Sequence, residues 1–171
     1  MNAIDSLRES IQWGHAWLEM VMADVTPAQA LWAPPGKANP IGAVYAHALL
    51  SVDGVVNGLL KGSAPRFATE WAGQLGPQPP QMSMSFEWGR SLQPDLLALR
   101  QYGQTVVADA DAYLAQLSEA DLDRAVDLSS VGLGTRRVGW IWNALVASHL
   151  NNMAGEISAL KGVQGLQGYP F

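Results

Sequence analysis

The run Ala147-Ser148-His149-Leu150-Asn151-Asn152-Met153-Ala154-Gly155-Glu156-Ile157 decides how this chain reads. Its apolar and small residues recur at helical spacing and turn the imidazole of His149 toward an interior. His47 occupies a similar inward place on an earlier apolar segment, and the chain has only three histidines, the other being His15. Imidazole is the commonest metal ligand, and two rings converging from different helices would form most of a metal site. One turn after His149, where a third ligand would project beside it, stands Met153.

Working outward, this run belongs to a helix expected over 138–161 that stops at Gly162. Residues 3–24 carry Ile4, Leu7, Ile11, His15, Leu18, Val21 and Met22 at three- and four-residue steps, the stripe of a first long helix. Thr26-Pro27 ends it and leads into a short helical turn over 28–32. After a loop at Pro34-Pro35-Gly36-Lys37-Ala38, Asn39-Pro40 reads as a helix start. Asn would cap the free amides, and Pro at the first helical position loses nothing. This second long helix should run over 40–60.

Residues 62–92 have no sustained period, and a long irregular segment in a compact fold tends to be functional or partly helical. Short helical turns are expected near 65–71 and 86–93. A third long helix is expected over 94–117, with Leu96, Leu97, Leu99, Tyr102, Val106, Ala110, Tyr113, Leu114 and Leu117 inward. Ser118-Glu119-Ala120-Asp121 has the form of a capping start. Residues 124–128 and 134–138 could pair as a hairpin, and the apolar tail 165–171 should pack back on the body. Four long helices with two long connections make an all-α four-helix bundle.

Composition narrows the function. The 171 residues suit one domain spanning 1–171 with a substantial core. A net charge of -5 without a basic cluster argues against nucleic acid. The absence of cysteine excludes disulfides, thiolate metal ligands and a cysteine nucleophile. The first residues are charged and amphipathic rather than a signal peptide, and every apolar stretch is interrupted by Gly, Asp, Asn or His. The expectation is a cytoplasmic protein that does not enter a membrane.

Three segments bring a family into view. They are Val25-Thr26-Pro27-Ala28-Gln29 with Trp32 and Pro34-Pro35-Gly36; Asn39-Pro40-Ile41-Gly42-Ala43 leading to Tyr45-Ala46-His47; and Gly155-Glu156-Ile157 with Leu160-Lys161-Gly162. In order and spacing the chain resembles the DinB-like superfamily over essentially its whole length. That resemblance implies an up-down-down-up four-helix bundle with long connections and short extra helices. It also implies a divalent-metal site, zinc or nickel, of three histidines: one on the second long helix and two, four residues apart, on the last. Some relatives are thiol-dependent transferases or isomerases. Residue by residue, the ligands fall on His47, His149 and Met153, so the third position departs from the pattern.

A thioether does little for zinc or nickel, so the implied metal would be weakly held or absent. Asn152, Glu156 and His15 are the candidate substitutes for the third ligand. Trp32, Trp71 and Trp88 lie in connecting segments that could roof a pocket between the helices, and Met82 and Met84 would suit a flexible lid. Asp53, six residues after His47, reads as off the site face and solvated. Three functions follow: a metal-dependent transferase or hydrolase with an incomplete site, a metal-free small-molecule binding or stress-associated protein of the same fold, or an interaction module whose bundle serves dimer assembly, against which the retained His47, His149 and Glu156 weigh. Seven tryptophans and 49% apolar residues exceed what one bundle hides, so a homodimer is expected.

Overall fold

The computed structural model describes residues 2–171. Its long helices are α1 (Ala3–Met22), α3 (Ile41–Asp53, continued by a π-helical segment Gly54–Leu60), α5 (Leu96–Leu114) and the last helix. That last helix is built from α7 (Val138–Ile141), a π-helical segment Trp142–Ala147 and α8 (Ser148–Val163). Short helices α2 (Pro27–Leu31), α4 (Phe86–Ser91) and α6 (Glu119–Asp123) fill the connections. Strands β1 (Ala125–Leu128) and β2 (Gly134–Arg137) pair antiparallel, Ala125 opposite Arg137 and Leu128 opposite Gly134.

Local chemistry explains most boundaries. Asn2 with Asp5, Thr26 with Gln29, and Ser118 with Asp121 form reciprocal capping boxes at α1, α2 and α6. Asp95 accepts from the amides of Leu97 and Ala98 at the start of α5. The expected cap at α3 is different: Pro40 itself takes the capping position, without a side-chain bond. Asn39 instead lies buried against Gly89, where a Cβ would collide with its amide.

Side-chain pairings give the helix directions. Gly14 faces Leu150 and Lys161 reaches the Val21 carbonyl, so α1 and α8 run parallel. Arg8 binds Asp111 while Arg100 binds the Met22 carbonyl, so α1 and α5 are antiparallel. Gly42 meets Pro94, and Tyr113 donates to the Leu60 carbonyl, so α3 and α5 run parallel. The four helices therefore form an up-down-down-up bundle. Trp142, Tyr45, Tyr102, Leu49 and Leu99 are among its fully buried side chains.

Three expectations need correction. Leu97 points outward, at 67% exposure, because it lies on the helix face away from the stripe of Leu96, Leu99 and Tyr102. The 20 residues Ile41–Leu60 are, by length and composition, apolar enough to cross a membrane, contrary to the expectation of uniformly interrupted stretches; most of this segment is buried within the bundle. Asp53 is fully buried rather than solvated. Its carboxylate accepts from Asn57 Nδ2 (2.6 Å), the Tyr102 hydroxyl (2.6 Å) and the Phe67 amide (3.0 Å). The network ties the long irregular connection to the middle of the bundle.

The tail packs back as its composition suggests. Tyr169 and Phe171 lie against Trp17, at 5.6 and 5.4 Å between ring centroids, and Trp17 stacks on Trp13.

Candidate functional site

His47 sits mid-way along α3, a helix buried on nearly all sides, and His149 is the second residue of α8. The two helices pack directly, and the rings meet edge to face with centroids 5.0 Å apart and planes at 83°. His47 Nδ1 lies 3.4 Å from Ser51 Oγ, one turn along the same helix. Among the described residues, His149 Nε2 is buried without a hydrogen-bond partner. A buried imidazole nitrogen left unpaired is costly unless something binds it.

Electrostatics keep both rings neutral. Burial, together with the nearby His47, pushes His149 down to about 4. Burial also lowers His47, an effect partly offset by the backbone of Met82. A neutral ring presents one donor nitrogen and one lone pair, the form needed for either a metal or a hydrogen-bonding ligand.

The remaining candidates are distributed differently. Met153 is half-buried against the core, one turn beyond His149. Asn152 is exposed, and Glu156 is half-buried, with its carboxyl held above the usual range by burial. His15 belongs to another cluster: its Nε2 is 3.7 Å from Glu19 Oε1, and Glu19 also accepts from the Tyr45 hydroxyl and approaches Arg100. Among the described residues, no three His, Cys, Asp or Glu side chains converge as a metal-holding group. The donor set at the pair is thus two imidazoles with a thioether one turn away. It lacks the third hard or borderline ligand that a tight zinc or nickel site uses.

The tryptophans occupy separate places. Trp71 packs edge-on to Tyr102, at 5.5 Å, above the Asp53 network. Trp88 is buried, with its indole N–H bonded to the Pro79 carbonyl. Trp32 is half-buried at the end of α2. Met82 approaches the pair from the long connection: its backbone bears on His47 and its side chain lies across Gly54, where any Cβ would collide with it.

Two features escaped the sequence reading. Both helices that carry the histidines change to π-helical hydrogen bonding beside them, after Asp53 and before Ser148. Such turns recur at functional sites, but they have no residue signature here. The contact of Met82 with Gly54 joins a loop residue to a helix glycine across a long connection, and no local periodicity reports it.

Comparisons with known proteins agree with this architecture. The family model of the DinB superfamily matches residues 11–156. The crystal structure of a conserved protein from Enterococcus faecalis superposes with a TM-score of 0.78. That protein is 18% identical, and the match covers 95% of this chain and 97% of that one. At this identity the likeness speaks for the fold alone. No curated protein sequence matches the chain. With the family model matching residues 11–156, which reach into all four long helices and include both histidines of the pair, the chain belongs to the DinB superfamily.

Proposed function

We propose that the His47–His149 pair is the working pocket of this protein and that it is used without metal, as a hydrogen-bonding site for a small molecule. The observation that carries this reading is the buried, unpartnered Nε2 of neutral His149 beside a second neutral ring. Such a nitrogen accepts from a hydroxyl or amide, or donates to a carbonyl in the other tautomer.

The metal-dependent alternative, a transferase or hydrolase, is favoured by one feature: the same deprotonated lone pair is what a divalent ion needs. Two imidazoles alone would hold zinc or nickel loosely. Titrating zinc into metal-stripped, untagged protein should therefore give a dissociation constant no tighter than about micromolar. Nanomolar binding, abolished by His149→Ala, would establish the metal-dependent reading instead.

We also propose a homodimer. The exposed Trp13, Tyr169 and Phe171, gathered around half-buried Trp17, support it, because exposed apolar patches of this kind usually mark interfaces. Light scattering at micromolar concentration should report twice the 18.3 kDa chain mass. A mass of one chain would contradict the dimer.

A further inference from the structure

A pocket of about 190 Å³ opens in the seam between α3 and the last helix, one to two helical turns from the histidine pair, whose rings do not line it. Gly54, Leu59 and Leu145 form its wall, Met82 crosses one side, and Leu128 and Val131 of the hairpin close the other. Four observations single it out.

The first is position. Gly54 lies seven residues beyond His47, roughly 10 Å along the helix, and Leu145 lies one turn before His149. Met82 belongs to both places, with its backbone at His47 and its side chain across Gly54. The second is backbone geometry: Gly54 and Leu59 stand in one π-helical segment and Leu145 in the other, so both irregular turns of the bundle line this one pocket. The third is exposure. Leu59, Met82 and Val131 are large apolar side chains left open to solvent, and all three converge here. The fourth is charge: among the described residues no Lys or Arg lines the pocket, and the one charged lining residue is Asp127.

We propose that this pocket holds the hydrocarbon part of the small molecule whose polar end is bound by the histidine pair. This rests on the reading of the pair as a ligand pocket and adds the ligand's class. The occupant is a neutral amphipathic molecule, with a hydroxyl, amide or carbonyl at one end and an alkyl or aryl group at the other. An apolar cavity of about 150 Å³ takes a benzene ring, so this one accommodates a ring or a short alkyl chain. Anionic tails are disfavoured by Asp127 and by the lack of a cation.

The test uses the full chain carrying 13C-methyl methionine and 15N-histidine, followed by NMR with two probes, n-octanol and ethanol. The expected result is that n-octanol shifts both the Met82 methyl and the His149 ring signals in one saturable event. Ethanol should shift only the His149 ring, at far higher concentration. Leu59→Asp places a charge against the apolar wall and should weaken n-octanol roughly tenfold or more, leaving the ethanol response intact. Val131→Asp, on the exposed hairpin turn, should act the same way and covers the case in which Leu59→Asp fails to fold.

An n-octanol shift at His149 with the Met82 methyl unmoved would overturn this inference while leaving the histidine pocket standing. So would n-octanol affinity unchanged by both substitutions. If neither alcohol moves His149, the reading of the pair as a ligand pocket falls as well.

Discussion

Met153→His should tighten zinc or nickel binding by roughly 10²–10⁴-fold over the native chain, the gain expected when a further ligand is tethered to a site already formed. Residues four apart on a helix stack on one face, so the new ring would project beside His149 toward His47. The native position is half-buried, with room already given to a side chain of similar length. The gain should require both native rings, so His47→Ala or His149→Ala in the Met153→His background should remove it. Calorimetric titration of metal into stripped protein measures each step. Equal affinity for the native chain and Met153→His would mean that another residue already completes the site.

The second large effect lies away from the histidines. Asp53→Ala should destabilise the fold by about 3–5 kcal/mol, the range for removing one member of a buried polar network and leaving its partners unpaired. Three donors lose their acceptor at once: Asn57 Nδ2, the Tyr102 hydroxyl and the Phe67 amide. Because Phe67 starts the long connection, the loss should also loosen the segment that carries Met82. Urea unfolding should show a lower midpoint with little change in slope, and the melting temperature should fall by roughly 6–20 °C. A shift below about 1 kcal/mol would mean that water replaces the carboxylate at no cost.

Asp53 also shows where sequence reasoning lost its grip. Six residues after His47 does put it on another face of an α-helix. The step from "another face" to "solvated" assumed an amphipathic helix, whereas residues 41–57 are almost uniformly buried. A helix apolar all round is enclosed on every side, so its off-site residues face the core. The stripes of α1 and α5 were legible because each has one wet face to contrast with the dry one. Leu97 broke its stripe because it lies about 200° around the helix from Leu99, while its neighbours Leu96 and Ala98 pack on the core.

At the site, the inward turn of His47 and His149 could be read from spacing, whereas a third imidazole at position 153 was implied only by the family resemblance. The π-helical segments could not be read, since no residue pattern in Gly54–Leu60 or Trp142–Ala147 marks the change of hydrogen-bond register. The pocket in the seam needs Met82, Gly54, Leu145 and Val131 together, and these come from four distant parts of the chain. His15 looked equivalent to the other two histidines in sequence. It lies instead 3.7 Å from Glu19, which is shared with Tyr45 and Arg100.

Burial of neutral rings also sets the response to acid. His149 has a folded-state pKa of about 4 against an ordinary value of 6.5, so below 6.5 the unfolded chain binds a proton that the folded chain does not. Its contribution to stability is complete above pH 6.5 and is lost progressively as the pH falls toward 4. His47 and His15, both lowered by burial, act in the same sense.

A direct titration of the His149 ring by 1H–15N NMR tests the central claim, that the two imidazoles form a buried, neutral pocket in the seam between α3 and α8. The account predicts ring signals of the neutral form down to about pH 5 and an apparent pKa of about 4, with His47→Ala raising that value by removing the neighbouring ring. A midpoint near 6.5, unchanged by His47→Ala, would place the ring in solvent and contradict the pocket.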